Sequence, residues 1–151
     1  MYSSSPGAGP YCQASVQLSW LKGWRLKTQA ISIVDDDLAI GESIAELLLT
    51  VGLRTHVFTS AQDFLASDQI DTTSCLIADV KMPGIGGIEL QRLLNAKGVK
   101  VPVIFISAFR DAASRSAAEK VGAIGFLNKP FSEEELFSCI RIALPGNSGL
   151  A

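Results

Sequence analysis

The chain has 151 residues, 48% hydrophobic and 19% charged, which suits one compact domain with a sizeable core. Three cysteines, at 12, 75 and 139, give neither an even disulfide set nor a C-x-x-C spacing, and a single histidine argues against a zinc site or a histidine relay. No apolar run approaches the roughly 20 residues of a spanning helix. Residues 1–30 carry Lys22, Arg25 and Lys27 and no acid, whereas the other 121 residues hold 10 basic and 15 acidic side chains. That mildly acidic body disfavours direct nucleic-acid binding by this segment, and nothing points to a membrane. A globular domain of a reducing compartment, cytoplasmic by expectation, is what remains.

Residues 1–28 read as a flexible leader or tag-like segment: Met1 to Pro10 is rich in Ser, Gly and Pro, and Trp20, Leu21, Trp24 and Leu26 form only a short amphipathic patch. Its basic residues follow the apolar ones, the reverse of a signal peptide. From Ile31 a regular alternation begins. Ile31–Val34 reads as a strand. Ile40, Ile44, Leu47, Leu48 and Val51 then keep helical spacing, with Gly52 expected at C′. Leu53–Phe58 is a second strand, and Ser60 with Asp63 marks a capped helix start with Phe64 and Leu65 facing inward. Cys75–Ala78 is a third strand, and Ile88–Ala96 a helix ended by Gly98.

Val101–Ile106 reads as a fourth strand, with Pro102 tolerable only near its start. Asp111–Val121 is a fourth helix with an inner stripe of Ala113, Ala117, Ala118 and Val121. Ile124–Leu127 is a fifth strand. Ser132 opens the last helix, whose first turn holds three glutamates and whose buried face is Leu136, Phe137, Ile140 and Ala143, before Pro145 and Gly146 stop it. Five strands alternating with five helices predict an α/β, doubly wound fold with a parallel sheet covered on both faces.

In such sheets ligands bind beyond the carboxyl ends of the strands. There the sequence places Asp35, Asp36 and Asp37 after strand one, Asp79 after strand three, Ser107 after strand four and Lys129-Pro130 after strand five. Clustered carboxylates need a cation, and an all-oxygen site with room for water suits Mg²⁺. A divalent ion, an ammonium and a hydroxyl around one carboxylate are what phosphoryl transfer onto it requires. Read singly, each residue has a plainer role. Asp37 serves better as a helix N-cap than as a ligand. His56 reads as structural or exposed, and Cys75 and Cys139 as inert core thiols. Gly84-Ile-Gly-Gly87 fails as a dinucleotide fingerprint because position 89 is Glu89, and no P-loop exists.

Together, Val34-Asp-Asp-Asp37, Ala78-Asp-Val-Lys-Met-Pro-Gly-Ile-Gly-Gly87, Ile106-Ser-Ala108 and Asn128-Lys-Pro-Phe131 resemble the receiver domain of bacterial two-component response regulators, most closely its FixJ-like branch. The resemblance covers residues 29–144 and implies a flavodoxin-like sheet of strand order 2-1-3-4-5. It further implies that Asp79 accepts the phosphoryl group, that Asp35, Asp36, Asp79 and the Lys81 backbone carbonyl hold Mg²⁺, and that Ser107 and Lys129 bind the phosphoryl group. Phe126 takes the switch-aromatic position, its ring turning inward as Ser107 is drawn to the phosphoryl group, and Lys129–Pro130 is expected to be cis. Lys81 and Phe109 stand where the family tunes dephosphorylation.

The implied partner is a histidine kinase or histidine phosphotransfer protein. A face of helix four, strand five and helix five would carry the output and a homodimer when phosphorylated. The chain is then a signalling domain and no enzyme, though it assists its own phosphorylation and dephosphorylation. Two rivals stay open: a pseudo-receiver that signals without phosphate, and an aspartyl-phosphate phosphatase, which would carry an aspartate where Lys81 stands. Residues 145–151 read as a tail or a linker cut short.

Overall fold

A computed structural model describes residues 29–108 and 112–144. The expected leader, the tail, Phe109 and the start of the fourth helix at Asp111 lie outside them. Five parallel strands, β1 (Ala30–Val34), β2 (Arg54–Phe58), β3 (Cys75–Asp79), β4 (Val103–Ser107) and β5 (Gly125–Asn128), form one sheet in the order β2-β1-β3-β4-β5. Between and after them come α1 (Leu38–Leu49), α2 (Ala61–Leu65), α3 (Gly87–Ala96), α4 (Ala112–Lys120) and α5 (Glu133–Ala143). β1, β3 and β4 are buried along their whole length, while the edge strands β2 and β5 are partly exposed.

Two cores occupy opposite faces of the sheet. On one, Ile44 and Leu48 of α1 and Leu136 and Ile140 of α5 pack on Ile31, Ile33, Ile77, Ile104 and Ile106. On the other, Phe64 of α2, Leu90 and Leu94 of α3 and Ala118 of α4 cover Val34, Leu76, Ala78 and Phe105. Period-2 alternation along buried strands supplies both faces at once, so each strand is apolar without a break.

Local chemistry sets the helix starts. Asp37 caps α1, its carboxylate accepting from the amides of Ala39 and Ile40. Ser60 accepts from the Asp63 amide at 3.0 Å. Ser132 and Glu135 exchange two bonds, of 3.0 and 2.8 Å, in a capping box.

α2 has five residues and is followed by a 3₁₀ turn over Asp68–Asp71. Three expectations need correction. Gly52 stands one place beyond C′, because Thr50 is the cap of α1. β4 starts at Val103, after Pro102, whose carbonyl accepts from Leu76 N–H at 2.9 Å while its nitrogen has no proton to give. In α4 only Ala118 is buried; Ala113 is exposed and Ala117 half-buried, since alanines mark no face strongly. The turns returning from helices to strands, at Gly52, Gly98 and Gly122, lie at the sheet's amino edge. None of the described helices is long and apolar enough to cross a membrane.

Candidate functional site

At the carboxyl edge of the sheet the chain gathers the charges that the sequence separates by up to 94 positions. Asp35 follows β1 directly and is fully buried; its amide donates to the Phe58 carbonyl of β2 at 3.0 Å. Asp79 is the last residue of β3, not a residue after it, and is 6% exposed. Asp36 is exposed. One carboxylate oxygen from each of Asp35, Asp36 and Asp79 lies within 4.8 Å of the other two.

Lys129, from the turn after β5, reaches into this group. Its Nζ donates to Asp79 Oδ2 at 3.1 Å and to Asp35 Oδ2 at 3.2 Å, and its amide donates to the Ser107 carbonyl at 2.8 Å. The Lys129–Pro130 peptide is cis. The other oxygens are held by backbone amides: Asp37 N–H donates to Asp35 Oδ1 at 2.9 Å, and Lys81 N–H to Asp79 Oδ1 at 3.1 Å. Both carboxylates are therefore fixed in orientation by their own chain, two residues on. Ser107 is fully buried as the last residue of β4, opposite Asn128.

Burial pushes the Asp35 carboxyl above its ordinary range, and the negative charge of Asp79 adds to this; the Asp37 amide and Lys129 pull the other way. For Lys129, burial favours the neutral amine, but the hydrogen bond and charge of Asp79, then those of Asp35, outweigh it and hold the ammonium above its usual value. Three carboxylates against one ammonium leave two formal negative charges in the group. That charge and a donor set made only of hard oxygens fit Mg²⁺.

Phe126 stands apart from the edge. It lies mid-strand in β5 opposite Phe105, half-buried on the face that α4 covers. The sequence reading missed the role of the glycine run. A Cβ on Gly87 would lie 2.4 Å from the Asp79 carbonyl oxygen, and one on Gly86 would lie 2.6 Å from that of Val80. The first turn of α3 thus rests on the backbone that presents Asp79, with Gly87 N–H bonded to the Val80 carbonyl at 3.1 Å. The signal was the failed dinucleotide motif: glycines with no phosphate to cradle that instead let two backbones touch.

Known proteins resemble this chain in sequence and fold. The model of the response regulator receiver domain matches residues 31–141. "Response regulator protein TodT" of Pseudomonas putida is 42% identical over 118 residues, which is 78% of this chain and 52% of TodT. "Transcriptional regulatory protein TdiR" of Thauera aromatica is 37% identical over 121 residues, or 80% of this chain and 53% of TdiR. The chain thus spans about half the length of the curated relatives it matches. The crystal structure of FixJ-N superposes with a TM-score of 0.72 at 30% identity, covering 79% of this chain and 95% of FixJ-N. With the sheet order, the acidic edge and these matches in agreement, the chain belongs to the response regulator receiver domain family.

Proposed function

We propose that this receiver domain is a phosphorylation-dependent switch whose acceptor is Asp79. The observation that carries the reading is Lys129 Nζ, hydrogen-bonded at once to buried Asp35 and Asp79, beside the third carboxylate of Asp36. A carboxylate oxygen of Asp79 attacks the phosphorus of a phosphohistidine on a kinase or phosphotransfer protein. The P–N bond breaks, and its electron pair leaves with the imidazole nitrogen.

The two bonds to the Lys81 amide and Lys129 hold the nucleophile in place before the donor arrives, which is where positioning catalysis gains most. Lys129 then turns its charge to the phosphoryl oxygens, and the Ser107 hydroxyl donates to one of them. Asp35, Asp36, Asp79 and the Lys81 carbonyl would hold Mg²⁺, which supplies charge neutralisation at the phosphoryl oxygens. Water attack on the phosphorus later returns the carboxylate and releases inorganic phosphate, so the domain assists its own phosphorylation and dephosphorylation without being an enzyme for another substrate.

Movement of Ser107 draws Phe126 inward and changes the face formed by α4, β5 and α5, through which a homodimer or another partner reads the state. Similarity to TdiR and to "Transcriptional regulatory protein FixJ" of Azorhizobium caulinodans supports control of transcription as the output, which we place in the cytoplasm. Intact-protein mass after incubation with acetyl phosphate tests the core of this. One added phosphoryl group that requires both Mg²⁺ and Asp79 supports it. No adduct on folded protein selects the pseudo-receiver, and an adduct that survives Asp79→Asn moves the acceptor elsewhere.

A further inference from the structure

Phe126 has no hydroxyl, so no outward hydrogen bond can anchor its ring. What lies on it is a charge: the guanidinium carbon of Arg115, on α4, sits 5.2 Å from the ring centroid. That is inside the range of about 6 Å over which a cation is drawn to an aromatic face. Among the described residues no carboxylate forms an ion pair with Arg115. α4 offers the sheet little else, since Ala118 is its one buried residue and the helix is otherwise small and polar on that side. The contact therefore joins the least embedded helix to the strand that carries the ring.

We propose that Arg115 is a positioning residue for the switch: its guanidinium clamps Phe126 in the half-buried position and couples α4 to β5. This rests on the reading above, in which the ring turns inward as Ser107 moves. An inward ring has to leave the guanidinium, so the clamp opposes the phosphorylated arrangement. A cation–π contact at a partly exposed site holds a ring by roughly two- to five-fold in population. If the acceptor takes the phosphoryl group from the inward-ring arrangement, the share of protein in that arrangement sets the initial rate, so the same factor passes to phosphoryl uptake. The sign is informative. A cation that merely attracted the anionic donor would speed the reaction, whereas a clamp slows it.

The test uses the full chain as wild type, Arg115→Gln, Phe126→Leu, the double variant, and Lys120→Gln as a charge control on the same helix. Two readouts are taken: the aromatic resonances of protein carrying ¹³C-labelled phenylalanine, with Phe126 assigned by its loss in Phe126→Leu, and the initial rate of Mg²⁺-dependent phosphorylation by acetyl phosphate. Arg115→Gln is expected to move the Phe126 resonances and raise the rate about two- to five-fold. Lys120→Gln should do neither, and the gain should vanish in the Phe126→Leu background. An unmoved ring resonance, a slower Arg115→Gln, or an equal gain with and without Phe126 overturns the clamp. A wild-type chain that takes no phosphoryl group refutes the proposed function, and the ring resonances still decide the clamp on their own.

Discussion

Placing a single methyl group at Gly87 tests how closely the acceptor's position depends on α3. Alanine there would bring its Cβ to 2.4 Å from the Asp79 carbonyl oxygen, 3.0 Å from its carbonyl carbon and 3.3 Å from Phe105 Cδ1. Restoring even 3.0 Å at the oxygen requires a displacement of 0.6 Å between α3 and the end of β3. β3 is paired on both sides, by β1 and β4, and Gly87 N–H is tied to the Val80 carbonyl, so neither partner moves freely. Such overpacking costs about 1–3 kcal/mol. The lower entropy of unfolded alanine returns about 0.4–1 kcal/mol of it. The net loss of about 1–2 kcal/mol lowers Tm by roughly 3–8 °C in a domain of this size.

The same shift moves Asp79 against Lys129, and since an error of 1 Å costs about a hundred-fold, we expect phosphoryl uptake to fall about ten-fold. Gly98→Ala is the control. Its φ of 76° strains any side chain, but nothing lies within 4 Å. It should therefore lose about 1 kcal/mol with uptake unchanged. Urea denaturation and adduct mass read both effects. Wild-type stability for Gly87→Ala, or wild-type uptake despite lost stability, would refute the argument.

Lys129→Met leaves two buried carboxylates without their cation and should cost about 3 kcal/mol near neutral pH, with Mg²⁺ raising the variant's Tm more than the wild type's. Because the folded pKa of Lys129 lies above its ordinary 10.5, its contribution is complete below that value and fades as pH rises through the folded pKa. The stability gap between wild type and Lys129→Met should thus stay level from neutral pH to about 10 and close above it; a gap that widens there would contradict the pairing. Ser132→Ala removes one half of the capping box and should lower stability by about 1 kcal/mol by urea titration, with no change in phosphoryl uptake. Cys75 is fully buried and its thiol is pushed far up by that burial. Iodoacetamide should modify it only as fast as the domain opens, and rapid labelling in native buffer would show the packing to be wrong.

The strands were legible because β3 and β4 are short, unbroken apolar runs, and the starts of α1 and α5 because Asp37 and Ser132 cap through bonds spanning two or three residues. The acidic edge was legible for a related reason: Asp35 and Asp79 sit immediately at strand ends, so topology alone brings them together. What escaped depends on distant neighbours. No local pattern says that Gly87 must clear the Asp79 carbonyl, that Lys129 bridges Asp35 to Asp79, or that Arg115 covers Phe126. Alanine spacing in α4 suggested a buried stripe through Ala113, but a methyl group gains so little on burial that it does not orient a helix. Gln91 shows the same limit: it is buried on α3, its amide nitrogen donating to Asn95 at 3.0 Å while its buried Oε1 has no hydrogen-bond partner among the described residues.

The turns at Gly52, Gly98 and Gly122 lie at the edge of the sheet remote from every charged residue of the acceptor group. The acceptor group and the turns that return from helix to strand thus lie on opposite rims of one sheet. Foreign sequence inserted at Gly98 or Gly122 would lengthen a surface connection without touching Asp35, Asp79 or Lys129, at an entropic cost that grows only slowly with its length. A fluorescent reporter spliced there would ride on the domain while leaving its acceptor rim intact, which makes the amino edge the natural place to instrument this protein.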